Sequence, residues 1–269
     1  MDVTLQQVQE TELEMLDEVI RLCQKHDLHF AMLGGSCLGA VRHKGMIPWD
    51  DDIDVGMDRK DYERFVEICK SELDPKYFFQ HFQSEPNCGY LFGKLRKNNT
   101  RMTEAYSQDV KMHHGVWIDI FPLDYVPDDL PSFRKNYRKV LFYRNLLLVK
   151  LGFHVKEDAS AAVKASYAAV RAGKSVLSVP KLKQKLTELM TQQDAMPTDT
   201  LFPYGCAWGE RERMTKDDFY DVVWVSFNGR KVPIFRSFDA YLTRMYGDYM
   251  TYPPKEKRRS EHDLSQVQL

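Results

Sequence analysis

Apolar side chains recur at helical intervals over residues 3–26, at Leu5, Val8, Met15, Leu16, Val19, Ile20 and Cys23, which predicts an amphipathic helix lying on a sheet. The period then shortens. His29 to Leu33 (HFAML) has the character of a short buried strand, Gly34-Gly35-Ser36 breaks it, and a helical stretch follows from Cys37 to His43. Asp50, Asp51, Asp52 and Asp54 then run into an apolar, strand-like segment. Asp58 is placed to cap a second amphipathic helix, RKDYERFVEICKSEL, with Tyr62, Phe65, Val66 and Cys69 on one face. Residues 77–83 and 90–96 alternate or run apolar and are expected as further strands, and an apolar run around Asp119 as another, while Asp124 is expected to start a turn or cap a helix. Strand, turn, helix, strand, helix is an α/β (α+β) order: a mixed sheet core with flanking helices.

From Pro131 to Met190 the helical period returns, punctuated by Gly152, Gly173 and Pro180, and about three helices are expected. Val222 to Phe227 and Lys231 to Phe235, joined by Asn228-Gly229, predict a β-hairpin. SFDAYLTRMY reads as a short helix closed by Gly247, and the polar, basic end of the chain as a frayed tail. The expected organisation is a catalytic core over 1–130, a basic helical insertion over 131–200 and a part returning to the core over 201–269.

Charge changes the picture of the middle segment. It holds 13 Lys and Arg against three acids, a surplus of +10, while the whole chain carries −1, so the remainder sums to −11. A chain so polarised is expected to bind something anionic there, either a phosphate-rich precursor or the inner membrane surface, unless this is an ordinary solvated helical face. The near-zero total excludes global attraction to nucleic acid. Five cysteines without CxxC spacing suggest neither a disulfide framework nor a zinc cage and fit a reducing cytoplasm. The acidic, amphipathic N-terminus does not read as a signal peptide, and the apolar run 141–155 is interrupted by Arg144 and Lys150 and is too short to span a bilayer.

The candidate chemistry concentrates in residues 33–57. On a strand Asp52 and Asp54 would share a face, roughly 6–7 Å apart, and would repel by about 3 kcal/mol at an effective dielectric near 20. A hard divalent cation, Mg²⁺ or Mn²⁺, would relieve that and also bridge to substrate phosphates. Strand, glycine turn and helix start at Gly34, Gly35 and Ser36 would offer N–H groups and a hydroxyl to an anion. Asp119, among Trp117, Ile118, Ile120 and Phe121, is a charge in a buried strand and needs either a metal or an ion pair. Arg42, His43 and Lys44 could neutralise donor phosphates or pair with Asp50 and Asp51. Lys94 and Arg96, two apart and on one face, read by pattern as charges on an exposed edge strand. His113 and His114 read as loop or rim residues.

The apolar residue, Gly-Gly-Ser and following Asp-x-Asp pair resemble the nucleotidyltransferase superfold, and the string GAVRHKGMIPWDDDID resembles the LicD family. The likeness extends to KLRKNNT (94–100), WIDIFPLD (117–124) and YGDYMTYPPKEKR (246–258). Fifteen residues, 37 to 51, separate Ser36 from Asp52, longer than in typical nucleotidyltransferases and in keeping with the LicD form. The resemblance implies a cytoplasmic bacterial enzyme, with peripheral contact at the inner membrane surface left open. It would move phosphorylcholine, or a similar phospho-alcohol, from CDP-choline to a hydroxyl of a teichoic acid, lipopolysaccharide or other glycan precursor, releasing CMP. It also implies that Asp119 joins Asp52 and Asp54 as the third metal-binding catalytic carboxylate, that Lys94 and Arg96 meet the diphosphate, and that Arg258 approaches the site. A choline head group would need an aromatic cage, for which Trp49, Tyr106, Trp117, Tyr204 and Trp208 are available. The rivals are a nucleotidyltransferase attacking an NTP α-phosphate with pyrophosphate release, and a non-catalytic nucleotide-binding protein.

Overall fold

A computed structural model describes residues 3–155, 159, 161–172, 177–260, 262 and 264–269. The first helix, α1 (Leu5–His26), opens with a capping box between Thr4 and Gln7 and lays Val8, Met15, Leu16, Val19 and Leu22 into the main core. It is followed by β1 (Ala31–Met32), α2 (Gly34–Arg42), β2 (Asp54–Asp58), α3 (Arg59–Glu72), β3 (Tyr77–Gln80), β4 (Gly93–Lys97) and the long β5 (Trp117–Val126). The strands order as β1-β2-β5-β4-β3; β2 and β5 run parallel and the other neighbours antiparallel. Two short strands, β6 (Thr200–Phe202) and β7 (Met214–Thr215), extend the sheet from the C-terminal half of β5. This is the mixed α/β architecture expected from the element order.

Several local expectations hold for the expected reason. Asp58 accepts from the Asp61 N–H at 2.7 Å and caps α3. The hairpin of β8 (Val222–Phe227) and β9 (Arg230–Phe235) turns on Asn228 and Gly229, both at positive φ, +46° and +80°. A five-residue helix, α7 (Lys216–Tyr220), precedes that hairpin, and α8 (Phe238–Tyr246) follows it, ending at Gly247. Between β5 and β6 lie α4 (Leu130–Leu151), α5 (Ala161–Ala172) and α6 (Val179–Met190), with Gly152 in the left-handed conformation that ends α4. Phe133, Val140, Leu147, Leu182 and Leu186 from α4 and α6 form a second core with Phe202 and Tyr204. Gly173, expected to punctuate this run, lies outside the described residues.

Four expectations are corrected. Only Asp54 of the acidic run is on a strand, and Asp52 precedes it in irregular chain. The strand β4 lies between β5 and β3, so Lys94 and Arg96 are interior and almost fully buried, at 2% and 1% exposure, instead of decorating an edge. Asp124 neither starts a turn nor caps a helix. It is a buried member of β5, gripped by both forks of Arg59 at 2.7 and 2.9 Å. The chain end is not frayed, because Arg101 and Gln268 exchange backbone hydrogen bonds at 2.7 and 2.8 Å and Val267 is buried against the core. Pro122 is tolerated within β5 because it falls in the gap between the stretch paired with β4 and that paired with β6.

Burial pushes Asp124 up to about 6, the Arg59 guanidinium opposing it. Arg59→Met should therefore destabilise the protein by about 3 kcal/mol at pH 8, where a buried carboxylate is left unpaired. Urea denaturation at pH 8 and pH 5 should show this cost shrinking as Asp124 takes up a proton.

Candidate functional site

Strand register builds the centre of the site. Asp119 on β5 stands opposite Asp54 on β2 and opposite Lys94 on β4, so the three side chains form one row on one face of three adjacent strands. Lys94 Nζ lies 2.9 Å from Asp119 Oδ1 in an ion-pair contact and donates to Oδ2 at 3.2 Å. The same ammonium sits 4.2 Å above the Trp117 ring. Asp52, two residues ahead of the strand, is tied in through Ile53, whose carbonyl accepts from the Asp119 N–H at 2.8 Å.

The glycine turn packs directly on this row. The helix α2 begins at Gly34 itself, not at Cys37 as the sequence suggests, so Gly34, Gly35 and Ser36 form its first turn. Gly34 has φ +48°, and a Cβ there would also stand 3.2 Å from Asp54 Oδ2. A Cβ on Gly35 would stand 3.0 Å from Asp50 Oδ2. Ser36 Oγ accepts from the Asp54 N–H at 2.9 Å, pinning the start of β2. The Gly34 N–H donates to Tyr241 Oη at 3.0 Å, and that hydroxyl donates to Glu212 Oε2, also at 3.0 Å. Among the described residues the Gly35 and Ser36 N–H groups have no protein acceptor. An N-terminus with free amides facing carboxylates is an anion cradle that its own acids partly occupy.

Electrostatics identify which carboxylates lack a counter-charge. Burial, then Asp50, Asp119 and Asp51, push Asp52 well above the usual carboxylate range. Burial, then Asp52, Asp119 and Glu212, do the same to Asp54. Neither side chain has a hydrogen bond or ion pair to the protein among the described residues. Asp119 is also raised by burial, but Lys94 opposes this. Glu12 of α1, 1% exposed and with both oxygens unpartnered, is pushed up by burial and by Asp52, Asp51, Asp50 and Asp119. Among the described residues no three His, Cys, Asp or Glu groups gather as a metal cage. Register sets Asp54 beside Asp119, Asp52 adds its charge to both, and Lys94 pairs with Asp119. The unpaired couple Asp52 and Asp54 still fits Mg²⁺ or Mn²⁺, since Mg²⁺ commonly takes one or two carboxylates and completes its shell with water and substrate oxygens.

The flank is built by the end of the chain. His262 Nδ1 lies 3.0 Å from Asp51 Oδ2, which also accepts from the His262 N–H at 3.0 Å and the Ser260 hydroxyl at 2.5 Å. His262 Nε2 stands 3.9 Å from Glu104, and Glu104 3.8 Å from Lys94. Signs alternate along Asp51, His262, Glu104, Lys94 and Asp119. Burial alone would lower His262, but Asp51 and Glu104 push it up to about 10. Sequence reasoning missed His262 and Glu104: each is a lone polar residue with no motif, and His262 is 211 positions from its partner.

The remaining candidates divide. Arg42 donates to the carbonyls of Tyr249 and Thr251, His43 stacks on Tyr252, and Lys44 is exposed; among the described residues none of them pairs with Asp50 or Asp51. Arg96 is committed to Gln80 and the Gly115 carbonyl at 2.9 and 2.8 Å. Arg258 lies over the rings of Trp49 and Tyr252. Of the aromatics, Trp117 lies under Lys94, Tyr204 is in the helical core, and Tyr106 donates to Glu104. Trp208 stacks edge-on against Tyr246, whose hydroxyl is 3.7 Å from the Gly34 Cβ position. His113 and His114 are structural, bonded to Asn98 and the Val110 carbonyl.

Because the folded value of His262 is raised, its contribution to stability is complete below about pH 6.5 and is lost as pH rises toward 10. His262→Ala should cost about 2 kcal/mol at pH 6, and denaturant titrations should show that difference narrowing by pH 9.

The family model described as LicD/FKTN/FKRP, nucleotidyltransferase domain, matches residues 27–139, a span that holds the glycine turn, the acidic run, Lys94 and Asp119. The chain is 30% identical to the lipopolysaccharide cholinephosphotransferase LicD of Haemophilus influenzae, an alignment covering 97% of this chain and 96% of that protein. Shorter matches, both 32% identical, reach uncharacterized proteins of Rickettsia typhi (28% of this chain, 25% of that protein) and Rickettsia prowazekii (30% and 47%). With the row of Asp54, Asp119 and Lys94 inside the matched span and the likeness to a LicD protein running nearly end to end, the chain belongs to the LicD family.

Proposed function

We propose that this protein transfers phosphorylcholine, or a similar phospho-alcohol, from a CDP-linked donor to a hydroxyl of a lipopolysaccharide or related glycan acceptor, releasing CMP. The observation that carries the reading is the row of Asp54, Asp119 and Lys94 beneath the free amides of α2. The end-to-end likeness to a protein named as a lipopolysaccharide cholinephosphotransferase supports the choice of donor head group, and favours lipopolysaccharide over teichoic acid as acceptor.

Asp52 and Asp54, whose side chains have no hydrogen bond or ion pair among the described residues, would hold Mg²⁺ or Mn²⁺. When bound, the ion supplies positive charge to the donor phosphates and to the departing CMP. The remaining work belongs to the chain. The Gly35 and Ser36 amides receive diphosphate oxygens at the helix N-terminus. Lys94 opposes the effect of burial on Asp119 and offers its own charge to the phosphoryl group in transfer. Asp119 takes the proton of the acceptor hydroxyl as that oxygen forms its bond to the donor's phosphocholine phosphorus. The bond from that phosphorus to the bridging oxygen breaks, and CMP leaves with the electron pair.

Incubation with CDP-choline, Mg²⁺ and a lipopolysaccharide acceptor should release CMP and label the acceptor, while EDTA should stop the reaction and added Mg²⁺ restore it. Pyrophosphate appearing from CTP instead would sink this reading in favour of nucleotidyl transfer. Asp54→Asn and Asp119→Asn should each lower kcat at least about a hundredfold, roughly 3 kcal/mol of barrier. Asp52→Asn should do the same, yet melt at a higher temperature than the parent in EDTA, because it removes one member of a repelling pair.

A further inference from the structure

A surface cleft of about 420 Å³ opens between α4 and α6, remote in function from the acidic row. Its walls are Arg138, Lys139, Phe142 and Tyr143 from α4, and Lys185 and Leu189 from α6. Arg138, Lys139 and Phe142 fall within about one helical turn, so two cations and an aromatic ring share one face. Phe142, one wall of this cleft, is 57% exposed. Arg138 and Lys139 have no ion pair among the described residues, and Lys185 shares Glu188 at 3.2 Å. Lys135, one turn before Lys139, is exposed as well.

We infer that this α4–α6 face docks on an anionic lipid bilayer, with headgroup phosphates drawn into the cleft by Arg138, Lys139 and Lys185 and the Phe142 ring seated at the headgroup boundary. Cations beside an exposed ring are the chemistry of interfacial attachment: the charges meet anionic headgroups and the ring buries apolar area. The charge division of the chain selects a bilayer over a long polyanion. The segment 131–190 carries +10 and the remainder −11, so a nucleic acid running past the patch would meet repulsion, whereas a bilayer meets only the face turned toward it. No helix among the described residues is long and apolar enough to cross a membrane, so this contact is peripheral. The inference goes beyond the transferase reading and needs none of its chemistry, since binding is measured without donor or acceptor.

The test is co-sedimentation of the full chain with vesicles of phosphatidylglycerol and phosphatidylcholine, against vesicles of phosphatidylcholine alone. Binding is expected to the mixed vesicles only and should fall steeply with added salt. The double variant Arg138→Glu, Lys139→Glu should weaken it at least about twentyfold, since one cation near an anionic surface is worth roughly fivefold. Phe142→Ala should weaken binding without altering its salt dependence. All three positions are on the surface, and thermal melts matching the parent establish that the variants fold; should the double reversal melt early, Arg138→Gln with Lys139→Gln reads the same effect. Equal binding to neutral vesicles, no binding to either, or undiminished binding by the variants would overturn the inference. So would capture of single-stranded RNA lost on the same charge reversal while the vesicles sediment without protein.

Discussion

The ion pair between Lys94 and Asp119 is the constraint on which the site is built. The register of β4 and β5 places two buried, oppositely charged groups against one another, so each offsets part of the other's cost of burial. Lys94 is further enclosed by Tyr90, Phe92 and Trp117, rings that exclude water while offering their negative faces to the ammonium. With Asp119 so compensated, the uncompensated negative charge is moved one strand over, to Asp54 and the irregular residues before it. The cation of the proposed mechanism would then be drawn to the edge of the row rather than to its middle.

The acidic loop would not keep its shape by its own interactions, since its members repel. It is held from three directions. Gln9 of α1 donates to the carbonyls of Ile47 and Asp50 at 3.1 and 2.7 Å. The hairpin tip accepts from Met46 through Asn228 Oδ1 at 2.7 Å and donates to the Lys44 carbonyl at 2.9 Å. The chain end grips Asp51 through Ser260 and His262. Elements that look peripheral, a hairpin and a polar tail, thereby serve as scaffolding for like charges kept close together.

The two halves of the molecule divide electrostatic labour. The sheet half concentrates negative charge around a helix N-terminus, where the proposed function would place a metal and a phosphorylated donor. The helical segment carries the compensating positive charge on surfaces turned to solvent, with a core of its own built by α4 and α6. On the proposed function and the proposed bilayer contact, opposite charge on separate surfaces would let one chain hold an anionic donor through a cation and meet an anionic surface directly.

Short-range chemistry was legible in the sequence. The Asp58 cap, the Asn228-Gly229 turn, the Gly152 and Gly247 helix ends and the mixed sheet all follow from rules spanning a few residues, and the Gly-Gly-Ser turn with its Asp-x-Asp pair lies inside the span that the family model matches. What sequence alone could not decide was which charges meet. Pattern placed Lys94 and Arg96 on an exposed edge because two charges in a strand usually face water. The strand order, which periodicity does not encode, put β4 in the interior, gave Lys94 to Asp119 and sent Arg96 to Gln80 and Gly115. The same holds for His262 and Glu104, which carry no local signal because their partners are brought to them only by folding. Local sequence determines which elements form, since caps and turns are satisfied by near neighbours; partnership of buried charge is decided by tertiary structure, since a counter-charge can come from any distance along the chain.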